Sequence, residues 1–352
     1  MKNFLAGHAM KYGSALFLSV LSLGAMAQKA EPVKLITAKS MDKIDVMIGG
    51  KLFTSFRFHD SLYKPVLYPI YNSSGTMVTR GYPMYTKVGD PTDHPHHMGL
   101  WFNFENVNGL DFWNNSFAIP AERKAQYGWI KTDAITENKD GKTGILSYKG
   151  RWTNQKKETL LLETTRYEFS GTEHQRIIDR TTTLTADRDV AFNDAKDGML
   201  GLRMAHELQI PAMKDQKFTD DKGIVTTVKA STDNVATGNY ITSEGKVGDS
   251  AWSTRAVWCK AFGKMGNDSV SISIIDHPSN PNYPTFWHAR GYGLFAANPL
   301  GEKAFTNGKS EKNLHLKKGE SVTFKFRIII QDDTKTLTSE ELDKIATQFA
   351  KK

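Results

Sequence analysis

The chain has 352 residues, a formal net charge of +8 and one cysteine. It is long enough to bury a large core, and its single thiol excludes an internal disulfide. Its positive residues are scattered, without the dense basic run or motif that nucleic-acid binding uses.

Lys2 and Lys11 give the amino terminus a positive start, residues 15–25 are apolar, and Ala25-Met26-Ala27 is a small-x-small cleavage site before Gln28. This predicts a signal peptide over residues 1–27 and a soluble exported protein, periplasmic or secreted. Removing Lys2 and Lys11 takes the charge from +8 to +6. No later apolar run is long enough to span a bilayer. Residues 28–352 contain no repeat, linker or composition break, and are expected to form one β-sandwich domain.

Period-two alternation dominates the rest of the chain. Residues 52–58 read as a strand, and residues 158–169 and 175–185 as a hairpin joined at Ser170-Gly171-Thr172-Glu173. Val270, Ile272 and Ile274 mark another strand, as do Val322, Phe324, Phe326, Ile328 and Ile330. The lone Cys259 lies among strand-forming residues and is expected to be a buried thiol. Thr338 with Glu341 forms a capping box, with Leu337 and Leu342 as a hydrophobic staple, and Leu342, Ile345, Ala346 and Phe349 share one face of a C-terminal helix. The expected fold is all-β: a large antiparallel β-sandwich with a C-terminal helix.

Three stretches carry the chemistry. The first is His94-Pro95-His96-His97, which holds three of the ten histidines. Histidine exchanges protons near neutral pH and is a common metal ligand. Pro95 rules out a central paired strand and biases His94 towards an extended backbone. In an extended segment His94 and His96 would point one way and His97 the other. A His-x-His pair can share a metal, but the acid that cupin sites place soon afterwards is absent at matching distance, since the next acid is Glu105. The plain alternative is a histidine-rich turn held by Asp90 or Asp93. Trp101 and Trp113 lie nearby.

The second stretch runs from Asp197 to Glu207. Alternation places Met199, Gly201, Arg203 and Ala205 on one face and Leu202, Met204 and His206 on the other. Arg203 offers a planar fork for carboxylate or hydroxyl groups, and His206 beside Glu207 is a candidate base. The third runs from Asp276 to Gly293, a Pro-rich loop and then Trp287, His288, Arg290 and Tyr292: aromatic platforms, a proton carrier and a cation. No Gly-rich phosphate loop, Gly-x-Ser-x-Gly elbow or cysteine pair for zinc is present, which argues against nucleotide-dependent enzymes and serine hydrolases of those types.

These stretches, together with Lys64-Pro65-Val66-Leu67-Tyr68-Pro69, resemble the DUF6807 family of mostly exported bacterial proteins, which also carries a methane-oxygenase PmoA-like label. The resemblance spans most of residues 28–352 and implies the position of a site rather than a reaction. The β pattern also looks like the supersandwich of galactose mutarotase and related enzymes. That analogy implies a histidine acid (His97, His206 or His288) and a carboxylate base (Asp276 or Glu207).

Three readings are open. The first is an exported carbohydrate-active enzyme, of hydrolase, lyase or epimerase type, acting on a small-molecule or oligosaccharide substrate by general acid–base chemistry. His97, His206, Asp276 and His288 would be catalytic. His94, His96, Trp101, Arg203, Trp287, Arg290 and Tyr292 would bind substrate. No cofactor is required. The second reading is a metal-dependent enzyme in which His94 and His96 hold a divalent ion. The third is a non-catalytic glycan-binding module built on Trp287 and Tyr292.

Overall fold

A computed structural model describes Met1 and residues 29–352, except 39–41, 86, 88–89, 220–224, 231–234 and 333–335. The expected signal peptide lies outside the described residues. Among the described residues no helix is long and apolar enough to cross a membrane.

Two eight-stranded antiparallel sheets make up most of the molecule. In spatial order the first sheet comprises Val33–Ala38, Lys43–Ile48, Lys51–Arg57, Val66–Ile70, Leu100–Phe104, Gly198–Arg203, Leu294–Asn298 and Phe286–Ala289. The second comprises Asn239–Thr242, Trp258–Met265, Asp268–Asp276, Ser321–Asp332, Gln175–Ala186, Thr159–Thr172, Gly144–Thr153 and Trp129–Lys139.

One face of each sheet meets the other across a shared apolar core. Phe56 stacks on Tyr148 with ring centroids 4.8 Å apart, and Phe102 meets Phe324 at 5.6 Å. Alternation dictates this: Phe324, Phe326, Ile328 and Ile330 reach the shared core from Ser321–Asp332, while Ile329 turns outward. Outside the second sheet, Leu342, Ala346 and Phe349 of the Ser339–Phe349 helix pack on Trp258, Ile275 and Ile329. The capping box is formed, Thr338 Oγ1 accepting from Glu341 N and Glu341 Oε2 from Thr338 N. Cys259 is buried in the shared core.

The long hairpin differs from expectation. Pairing continues through Ser170↔Ile177 and Gly171↔Arg176 to Thr172↔Gln175, so the turn shrinks to Glu173-His174. Residues expected as connection carry ladder bonds instead, which satisfy their backbone groups.

Candidate active site

The first sheet has a second buried face, turned away from the shared core. Leu100, Phe102 and Phe104 point into the core, whereas Trp101 joins a separate cluster with Val66, Tyr68, Met98, Trp113, Tyr292, Leu294 and Ala296. Gly201 pairs with both Trp101 and Ala296, so it shares that outer face. A Cβ at Gly201 would lie 2.5 Å from Trp101 Cζ2 and 2.7 Å from Trp113 Cη2, a spacing only glycine permits. The alternation expected beyond it is broken. Met199, within the strand, enters the shared core, and so does Ala205, where the strand has ended at Arg203 and given way to a single 3-10 turn, His206–Leu208.

The His94–His97 segment is a turn, not an extended strand. His94 has φ +44°, and its carbonyl accepts from His97 N at 3.0 Å. Buried Arg80 imposes this shape through the backbone. Its guanidinium donates to the carbonyls of Pro91 (3.3 Å), Asp93 (2.7 Å), His94 (2.9 Å) and His97 (3.2 Å). Four charge-assisted bonds outweigh the extended bias that Pro95 places on His94. Lys64 completes the frame: Nζ donates to His96 O at 2.8 Å and Trp113 O at 3.2 Å, tying the histidine turn to the tryptophan loop. Burial, opposed by Asp111, lowers Lys64 to about 7.

The turn brings all three rings together. Tyr292, His94, His97 and Trp101 form one column, with successive centroids 5.1, 4.8 and 5.2 Å apart. His96 meets His97 edge-on at 4.3 Å. Behind the column, Arg203 is fully buried. Its Nη2 donates to both oxygens of Asp93, at 2.9 and 2.7 Å, and its Nη1 lies 3.1 Å from His97 Nδ1.

These contacts settle the protonation pattern. Arginine only donates, so His97 Nδ1 must accept, and the neutral ring carries its proton on Nε2. Burial raises Asp93, but Arg203, His94 and Arg80 together hold it well below the usual carboxylate range. The ionised carboxylate only accepts, so His94 Nδ1, 2.5 Å from Asp93 Oδ2, carries the proton. Adjacent stacked imidazoles therefore hold opposite tautomers. Burial lowers His94, and lowers His96 and His97 well below 6.5; neighbouring His94 and Lys64 add to this for His96, and the other two histidines for His97. Burial thus favours the neutral form of each ring.

A cavity of about 160 Å³ opens on this column. His94, Pro95, His96, His97, His288, Arg290 and Tyr292 line it together with Trp113, Asn114, Ser116, Lys196, Asp197 and Leu294. His288 Nδ1 lies 3.2 Å from Asp197 Oδ1 without hydrogen-bond alignment. Burial lowers His288, an effect that Asp197 partly offsets.

Of the residues expected from sequence, His94, His96, His97, His288, Arg290 and Tyr292 thus meet at one cavity. Trp101 and Arg203 stand just behind it and touch His97 rather than the opening. Three others lie elsewhere. His206 is buried in its own turn, Nδ1 being 3.3 Å from Gln209 Oε1, and neighbouring Glu207 pairs with Lys87. Asp276 ends a strand of the second sheet, where its oxygens accept from Asn280 Nδ2 and from the backbone N–H groups of His277 and Thr285, latching the Pro-rich loop. Trp287 faces the shared core, because neighbours along a strand point to opposite faces and His288 takes the outer one. Its Nε1 donates to Ala256 O.

Sequence reading did not single out Lys64, Arg80, Lys196 or Asp197 as site residues, and gave Asp93 only a structural part. The adjacency Asp93-His94 was the one local signal available. Among the described residues no group of three or more His, Cys, Asp or Glu side chains is arranged to hold a metal ion.

A family described as one of unknown function, DUF6807, matches residues 43–347; that description carries no oxygenase label. No curated protein matches the chain. Among solved structures, the Slr1438 protein of Synechocystis is similar at 9% identity over 88% of this chain and 98% of its own, with a TM-score of 0.32. A galactose mutarotase-like protein from Clostridium acetobutylicum is similar at 7% identity over 86% and 99%, with a TM-score of 0.34. The alpha-galactosidase from Lactobacillus brevis is similar at 8% identity over 88% of this chain and 40% of its own, also at 0.34. These scores are low, and the functional reading rests on the geometry of the site.

Proposed function

Because the chain belongs to the DUF6807 family, whose description names no activity, we propose its function from the site itself: an exported carbohydrate-active enzyme working by general acid–base catalysis. The observation that carries this reading is the convergence of four histidines on one small cavity, with a carboxylate beside Nδ1 of two of them. A histidine whose Nδ1–H is fixed by a carboxylate presents Nε2 as a base, the arrangement used for proton abstraction in acyl transfer. Asp93–His94 has that form. On the same cavity Asp197 lies 3.2 Å from His288 Nδ1 without that alignment, a carboxylate near a second imidazole.

The cavity's size suits a small ligand, since it is well below the roughly 300–1,000 Å³ of pockets for drug-sized molecules. Its lining mixes aromatic faces (Trp113, Tyr292) with hydrogen-bonding groups (Asn114, Ser116, Lys196, Arg290), the pairing a sugar ring with apolar faces and hydroxyl edges calls for. Glycoside hydrolysis usually employs two carboxyl groups flanking the bond. Among the described residues Asp197 is the one carboxylate on the lining, and Asp93 is committed to Arg203 and His94. Proton abstraction, as in epimerases and lyases, therefore fits better than hydrolysis.

The test is a screen of mono- and oligosaccharides for product, using the wild type and His94→Gln, His97→Gln and His288→Gln. Loss of turnover by about 10²–10⁴-fold in each folded variant is expected. Saccharide binding without product in the wild type would leave a binding module. Undiminished turnover in all three variants would remove the site from the chemistry.

A further inference from the structure

We infer that the substrate is held in its carbonyl form and enolised, with Arg203 as the positioning residue that gives His94 and His97 their complementary roles. This rests on the acid–base carbohydrate reading above and names the substrate class within it.

The argument starts from Arg203. One buried guanidinium touches both halves of the histidine pair: Nη1 meets His97 Nδ1 at 3.1 Å, and Nη2 holds the carboxylate that in turn orients His94. Because arginine cannot accept a hydrogen bond, it forces His97 into the Nε2–H tautomer. Because it pins Asp93 as an anion, it forces His94 into the opposite one. The two rings are parallel within 4° and 4.8 Å apart, and both line the cavity. The site therefore offers one basic nitrogen and one N–H donor side by side on uncharged imidazoles.

A neutral imidazole that has no donor to refill it from behind does not give up its proton outright, since that would leave an imidazolate. With Arg203 behind Nδ1, no proton can enter there. His97 is therefore suited to hydrogen-bond a developing oxyanion rather than to act as a full acid, as neutral histidines do for enediolates elsewhere. That defines the reaction. His94 Nε2 takes the proton from a carbon next to a substrate carbonyl. The C–H electron pair becomes the new C=C bond, the carbonyl π pair moves onto oxygen, and that oxygen accepts from His97 Nε2–H. The charge gained by His94 is balanced by Asp93, and a proton from His94, exchangeable with solvent while the enolate persists, later returns to the carbon. No oxidant or further reactant is needed. The substrates that satisfy this are ketoses, open-chain aldoses and oxidised sugars bearing a ketone, and not acetal-locked glycosides.

Nitrogen-15 NMR of the histidine-labelled protein at pH 7 tests the positioning without any substrate, with His94→Gln and His97→Gln identifying the two signals. His97 should show a protonated Nε2 and a bare Nδ1, and His94 the reverse. In Arg203→Gln, whose amide can donate or accept, His97 should pass to a mixture of tautomers while His94→Gln leaves the His97 signature in place. A wild-type His97 protonated at Nδ1, or at both nitrogens, overturns the proposal even if Arg203→Gln fails to fold.

The chemistry is read by proton NMR in D2O with D-fructose, D-xylose and D-glucuronate, beside methyl β-D-glucopyranoside as the locked control. Exchange of the hydrogen next to the carbonyl in at least one free sugar, none in the glycoside, and a loss of about 100-fold in His94→Gln are expected. Cleavage of the glycoside without exchange overturns enolisation and leaves the broader acid–base reading standing. Neither exchange nor cleavage counts against both.

Discussion

Asp93→Asn is the substitution on which the site's architecture depends most directly. The change keeps the side-chain volume and one acceptor oxygen but removes the charge. Asp93 accepts two bonds from Arg203 Nη2, lies 3.4 Å from Arg80 Nη1 and 2.5 Å from His94 Nδ1. Both guanidinium side chains are fully buried. The amide would leave them facing each other without their shared anion. Removing one partner from a buried ion pair costs about 3–5 kcal/mol, a large share of the ~5–15 kcal/mol that holds a domain together.

Urea denaturation monitored by tryptophan fluorescence at pH 7 measures the loss. The pH dependence supplies a second check. Asp93 is held below its unfolded value of about 3.9, so its contribution is present above that pH and is lost as pH falls towards the folded value. The gap between wild type and Asp93→Asn should stay constant from about pH 5 to 7 and narrow below about pH 4. A loss under about 1 kcal/mol at pH 7, or a gap that does not narrow in acid, would refute the account of Asp93 as the anion between two buried arginines.

The same geometry dictates three further outcomes. Gly201→Ala drives a methyl group against two fully buried indoles, and overpacking of this kind destabilises by roughly 1–3 kcal/mol; an unchanged denaturation midpoint would contradict the close approach. Trp287→Ala should lose about 3–5 kcal/mol as a core truncation, and a loss below ~1 kcal/mol would place the ring outside the core. Burial lifts Asp276 to about 7, against the hydrogen bonds from Asn280, Thr285 and His277. The folded state then binds more protons than the unfolded one between about pH 4 and 7, so stability falls as pH rises through that window. Asp276→Asn should flatten this slope in paired denaturation curves, and an unaltered slope would assign it to another group.

Sequence reading reached the fold because alternation is a local property. The core-facing residues of Ser321–Asp332 and the Thr338–Glu341 capping box announce themselves within a few positions. The histidine turn was visible as a concentration of one residue type. Its conformation was not, because Arg80 sets it from 11 to 17 positions away, through carbonyl groups that every residue possesses. Trp287 and His288 illustrate the opposite difficulty. Their alternation was legible, but which of the two faces met the core depended on the strand Leu294–Asn298 beside them. Asp276 carried the chemistry of a base, and only the loop folded back on it shows its oxygens already occupied.

The way Arg80 grips the histidine turn has a consequence for how this protein can change. Its bonds go to main-chain oxygens of Pro91, Asp93, His94 and His97, so the path of the turn is indifferent to most of the side chains it displays. Pro95 and His96 can be exchanged without dismantling the scaffold that presents His94 and His97. The turn is thus a frame with replaceable fittings, and new specificities can be sought there by mutation, by natural drift or in the laboratory, while the proton-handling pair stays in register.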